Sequence, residues 1–115
     1  MRFYNIPMED GTNLPGTLNL GALADLAQTD HDLWKTYHAI YKEIQSDGSA
    51  TELDMAKILY IAYRCAVQHE GTETLGERDF LYQLTDDREA IAEAFKAVFG
   101  KGDKKSNFQK SSGKR

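Results

Sequence analysis

Thr51-Glu52-Leu53-Asp54-Met55-Ala56-Lys57-Ile58-Leu59-Tyr60-Ile61-Ala62-Tyr63-Arg64-Cys65-Ala66-Val67-Gln68-His69 is the stretch that decides the fold. Thr51 and Asp54 are spaced as in a capping box, with Asp in place of the usual Glu. Behind them, Leu53, Ala56, Ile58 to Tyr63, and Cys65 to Val67 leave almost no polar face. A helix that is apolar nearly all round is a buried one. The spacing therefore predicts a central helix running to His69 and closed by Gly71, with other helices packed around it.

Upstream, Asp30 can cap a second helix through its side-chain oxygen. Leu33, Tyr37, Ile40, Tyr41 and Ile44 follow at helical spacing, and Asp47-Gly48 ends the run with a glycine suited to the left-handed C-terminal position. Before it, Asn19 caps a helix over 20–28 with Leu20, Leu23, Ala24 and Ala27 on one face. The N-terminus reads as a small hairpin: a strand over 2–6, a turn at Asp10-Gly11, a second breaker at Pro15-Gly16, and a strand over 17–20 where polar and apolar residues alternate. Downstream, Thr74-Leu75-Gly76-Glu77 can cap a short helix carrying Phe80, Leu81 and Leu84. Thr85 or Asp86 caps the last helix, where Asp86, Asp87 and Glu89 oppose the positive end of the helix dipole. Ile91, Ala94, Phe95, Val98 and Phe99 form its apolar stripe, and Gly100 stops it. The expected fold is mainly α: a small helical domain of four to five helices over 1–100, with a short N-terminal β-hairpin.

Charge breaks at the same glycine. Residues 1–100 hold 8 Lys/Arg against 17 Asp/Glu, a formal charge of −9. Residues 101–115 hold 6 Lys/Arg against Asp103 alone, a charge of +5. That Lys/Ser/Gly-rich tail has too little apolar surface to offset its ordering entropy and is expected to be disordered. The whole chain, 115 residues with 41% hydrophobic content, is long enough for one domain with one core. No apolar run reaches the ~20 residues of a membrane helix. The start of the chain lacks a secretory h-region, and Cys65 has no partner for an internal disulfide. The expectation is a cytoplasmic setting.

Chemistry is harder to find. His31-Asp32 is a metal-phosphohydrolase dipeptide, but that chemistry needs further ligands, and His38 and His69 are scattered without Cys support. Cys65 lies within the most apolar helix, where a thiol stays protonated and inert. Helix-cap electrostatics account for Asp86, Asp87 and Glu89. Gly100, Gly102 and Gly113 do not lie between a strand and a helix, so they make no phosphate loop. No cofactor and no enzymatic activity are expected. Tyr37, Tyr41, Tyr60 and Tyr63 on the two longest helices suggest at least one partly exposed aromatic patch. The basic tail supports a second reading, a small phage or bacterial regulatory protein touching nucleic acid by charge. The acidic body and Phe108 as the tail's only aromatic weigh against nucleic acid.

Three segments carry a resemblance: Thr17-Leu18-Asn19-Leu20-Gly21-Ala22-Leu23-Ala24-Asp25-Leu26 after the hairpin, Glu52 to Ala66 at the centre, and Asp87 to Gly100 running into a Lys/Ser/Asn-rich end. Together they resemble the tail assembly chaperones of long-tailed bacteriophages and prophages of Gram-positive bacteria, over essentially the whole chain. The resemblance implies a non-enzymatic protein that coats the helical, aggregation-prone tape measure protein in the host cytoplasm and is absent from the mature virion. It also implies association of several copies along the client. In many relatives a ribosomal frameshift near the end of the gene gives a longer form that recruits the tail tube protein. Gly100-Lys101-Gly102 and Lys104-Lys105 are compatible with slippery codons. A client groove needs adaptable or amphipathic side chains. Met55, Tyr60, Tyr63, Phe95 and Phe99 are the partner-binding candidates, some of them expected to be exposed.

Overall fold

The structure, a computed structural model, describes residues 1–71 and 73–99. The stop at Gly100 and the disordered tail expected over 101–115 lie outside these residues. Two strands, β1 (Tyr4–Pro7) and β2 (Asn13–Gly16), precede helices α1 (Leu20–Thr29), α2 (His31–Asp47), α3 (Glu52–Val67) and α4 (Glu77–Gln83), and a fifth, α5, spans 88–99. The fold is mainly helical with an N-terminal antiparallel hairpin, as expected from the sequence.

α3 is the hub. Nine of its 16 residues are buried, and it packs against β2, α1, α2 and α4. Its capping box forms in both directions: Asp54 N donates to Thr51 Oγ1 at 3.0 Å, and Thr51 N to Asp54 Oδ2 at 3.5 Å. Ile6 of β1, Leu26 of α1, Leu59 and Ile61 of α3, and Phe80 of α4 are fully enclosed around it. A smaller core of Ile40, Ile58 and Phe99 joins α2, α3 and α5. Arg88 at the start of α5 forms an ion pair with Glu52 at the start of α3.

The corner between α1 and α2 turns on Asp30. Its backbone N–H donates to Leu26 O at 2.7 Å and so caps α1, while its Oδ1 accepts from Leu33 N at 3.2 Å and so caps α2. Arg64 of α3 reaches Asp30 at 3.5 Å. α2 ends, as its sequence predicts, at Gly48 in the left-handed conformation.

The hairpin differs from expectation. β2 is Asn13–Gly16, pairing Ile6 with Leu14 and Tyr4 with Gly16, and residues 17–19 lead on into α1. Pro15 and Gly16 lie inside the strand and do not break it. A proline is tolerated at a sheet edge. Gly16 is needed because β2 stands directly on α3: a Cβ there would come within 2.7 Å of Ile6 Cδ1 and 3.2 Å of Ala62 Cβ. Thr17 N then donates to Ala62 O at 3.0 Å. The turn at Asp10-Gly11 is as expected, with Asp10 Oδ1 accepting from Thr12 N and Oγ1. On the other edge of β1, the segment after α4 adds a short bridge between Met8 and Leu84, with Glu9 N donating to Gln83 O at 2.8 Å.

Two caps are also corrected. α4 starts at Glu77 with Gly76 as its N-cap, and no side chain caps it. α5 is capped by Asp87, whose Oδ1 accepts from Glu89 N and Ala90 N, and Thr85 instead accepts from Asp87 N. Asp87 wins because its carboxylate lies at the helix end, where both free N–H groups point. The central helix ends at Val67, two residues before His69.

Candidate functional site

The five partner-binding candidates fall into separate places. Tyr60 and Tyr63 are buried against Phe80, with ring centroids 5.3 and 5.5 Å from its ring. Their hydroxyls clamp one loop residue from both sides: Tyr60 OH donates to Leu75 O at 3.2 Å, and Leu75 N donates to Tyr63 OH at 3.0 Å. Arg64 Nη1 donates to Tyr60 OH at 3.0 Å. These two tyrosines hold the approach to α4 and offer little surface, so they are not among the exposed members of the candidate set. The phenol suits this position because its ring fills the core while its oxygen meets a backbone that would otherwise go unpaired. Phe99 is buried and Phe95 half-buried, stacked at 5.0 Å on α5. Met55 is half-buried against the main core.

The exposed apolar surface is elsewhere. Along α2, Trp34, Tyr37 and Tyr41 stack in sequence at 5.7 and 6.0 Å, His38 lies against Trp34, and Tyr41 meets Phe99 edge-on at 5.8 Å. Tyr37 is the inner member, and burial pushes its hydroxyl up to about 12. Tyr41, His38 and part of Trp34 face solvent. This is the partly exposed aromatic patch that the tyrosine spacing suggests, with Trp34 added to it.

Trp34 also belongs to a second feature. Leu20, Leu23, Ala24, Ala27 and Gln28 of α1 and Trp34 of α2 line an open trough of about 470 Å³. Leu20 is 78% exposed, Ala24 is exposed, and Ala27 and Trp34 are half-buried. Of the stripe Leu20, Leu23, Ala24 and Ala27 that the sequence assigns to one face of the first helix, Leu23 alone is buried. The face against the body is Ala22, Leu23 and Leu26. Both stripes are apolar, so helical spacing alone does not choose between them. The residues just after α3 meet the chosen face: Gln68 Nε2 donates to Ala22 O at 2.9 Å, and His69 Nε2 lies 3.1 Å from Asp25 Oδ2 at the surface. The signal in the sequence was the pair of apolar stripes on one ten-residue helix, one more than a core needs.

The groups suited to chemistry are dispersed. Among the described residues, no three His, Cys, Asp or Glu side chains gather closely enough to hold a metal ion. Cys65 is buried, and that burial pushes its thiol up to about 12. His31 and Asp32 are exposed on the first turn of α2. The neighbouring Asp86 carboxyl raises Glu9 from its ordinary value, and both lie on the surface. No described helix is long and apolar enough to cross a membrane.

Comparison with protein-family models, curated proteins and solved structures gives no match.

Proposed function

We propose that the protein is a phage tail assembly chaperone: a non-enzymatic binder that keeps the tape measure protein soluble in the host cytoplasm and leaves before the virion is complete. The observation that carries this reading is the apolar surface of α1 and α2. Leu20, Ala24, Ala27, Trp34 and Tyr41 lie open or half-open on adjacent helices, although the fold has buried sites for residues of these types. Scattered exposed apolar residues are ordinary, whereas a contiguous run of them marks an interaction surface. An elongated helical client suits such a surface, since it can engage several shallow sites of modest affinity along its length. The acidic body keeps the chaperone itself soluble. A longer frameshifted form recruiting the tail tube protein, and several copies along one client, belong to the same reading.

The test is co-expression of the full chain with the tape measure protein from the same genome. The expected result is a several-fold rise in soluble tape measure protein. An unchanged soluble fraction, with the chaperone itself folded and abundant, would contradict the reading.

A further inference from the structure

The geometry points to the α1–α2 trough as the docking site for an amphipathic helix that carries Lys or Arg along both sides of its apolar stripe. This deepens the chaperone reading and rests on it for the identity of the natural client.

The shape of the trough argues for a helix. α1 is ten residues long, about 15 Å at the rise of an α-helix. Leu20, Ala24 and Ala27 repeat at i, i+4 and i+7 along it, and Trp34 forms the opposite wall from α2. Small side chains at Ala24 and Ala27 let a partner backbone come close, with the larger Leu20 and Trp34 among the lining. A second helix could lay about two to three turns of an apolar stripe against this row. The lining suits a small polar ligand poorly: Gln28 is its single polar residue, and specific small-molecule sites carry several convergent polar groups.

Charge selects the kind of helix. From Leu20 to Trp34 the chain carries Asp25, Asp30 and Asp32 and no Lys or Arg. Asp25 is exposed beside Ala24 on the outer side of α1, and Asp32 is exposed on the first turn of α2. Asp30 is half-buried beside Arg64 and Asp25 lies 3.1 Å from His69 Nε2, so the charge at the trough is shared with these partners and Asp32 adds an exposed carboxylate on the first turn of α2. These three aspartates included, the body up to Gly100 carries −9. A field of this sign draws in cationic segments and repels acidic ones, acting on encounter rate and on choice of partner. The other strongly exposed apolar side chains are placed differently: Tyr82 lies beside Glu77, Arg78 and Leu81 on the short α4, Leu53 stands on the first turn of α3 between Glu52 and Asp54, and Met1 and Phe3 precede β1.

The chain's single tryptophan sits in the trough, so its fluorescence reports occupancy directly. The experiment titrates the full-length protein with three synthetic peptides of about 18 residues, long enough to form helix on binding. One has a Leu stripe flanked by Lys, one has the same stripe flanked by Glu, and one has the Lys composition in scrambled order. The expected result is a saturable blue shift of Trp34 emission with the Lys-flanked peptide, weakened by salt, and at least ~10-fold weaker binding of the other two. Ala24→Glu should weaken the Lys-flanked peptide by at least ~10-fold, because it sets a carboxylate against an apolar stripe. The site is exposed and Glu is a good helix former, so the variant should melt close to the parent. The added negative charge would strengthen a merely electrostatic association, so a loss identifies the trough. If Ala24→Glu fails to melt like the parent, Leu20→Ser serves in its place and should also weaken binding. Equal binding of Lys- and Glu-flanked peptides, no response to any peptide, or undiminished binding by a folded trough variant overturns the proposal.

The same variants separate this inference from the broader one. If the parent solubilises the tape measure protein and Ala24→Glu does so equally, the trough assignment fails and the chaperone reading stands. If the peptides behave as expected but the tape measure protein stays insoluble, the trough assignment stands and the chaperone reading fails.

Discussion

Leu75 is held by two phenols, one on its carbonyl and one on its N–H. Replacing Tyr63 with Phe keeps the ring against Phe80 and leaves the Leu75 N–H without its acceptor. The expected cost is ~1 kcal/mol or somewhat more, read as a lower urea midpoint with unchanged slope. A loss near zero would mean that water satisfies the amide equally well. Gly16 is the other single-residue pivot. Gly16→Val would drive two methyl groups into Ile6 and Ala62, both completely buried. The expected cost is ~1–3 kcal/mol from overpacking, measured in the same way. Neither role was legible in the sequence. Tyr60 and Tyr63 read as amphipathic surface candidates because a phenol serves equally well at a wet core edge or an interface. Gly16 read as a breaker because its true reason, the closeness of α3 in space, has no local signature.

At the scale of the element, local chemistry was the readable part. Asn19 accepts from Ala22 N, Asp30 from Leu33 N and Thr51 from Asp54 N, each as its residue type and spacing suggest. Thr51→Ala should therefore cost ~1 kcal/mol of stability, measured by chemical denaturation, with the loss localised by faster amide exchange in the first turn of α3. Orientation was less readable than position. α1 begins and ends close to where its caps indicate, yet it turns Leu20, Ala24 and Ala27 outward: helical spacing alone does not choose between two apolar faces, and Gln68 and His69 meet the chosen one. The bridge between Met8 and Leu84 escaped for a related reason: a pairing of single residues has no periodicity to detect. Since Leu20 contributes little to the core, Leu20→Ser should shift stability by no more than ~0.5 kcal/mol, in contrast to its expected effect on peptide binding. A large loss of stability there would show that Leu20 belongs to the core after all.

For the whole molecule, the buried thiol and phenol make the fold sensitive to alkali. Cys65 and Tyr37 rise from ordinary values of 9.0 and 10.0 to about 12. The folded state thus keeps protons that the unfolded chain releases. Stability from this source is complete below about pH 9 and is lost as pH rises towards about 12. Melting temperature should fall steadily over that window, and the double variant Cys65→Ala, Tyr37→Phe should fall less steeply once its lower starting stability is subtracted. Parallel curves for the two proteins would place the alkaline sensitivity elsewhere. The acidic body and its exposed α1–α2 surface are features of the same scale: in the proposed reading the negative charge steers a cationic helix towards the apolar trough where it binds.

The central claim is that an extended helical client seats on α1 and α2. Hydrogen–deuterium exchange of the full chain, free and bound to the tape measure protein, tests it most directly. The account predicts slowed exchange across residues 20–34 in the complex, with α4 unchanged. Protection confined to α4 or the hairpin, with residues 20–34 exchanging as in the free protein, would contradict it.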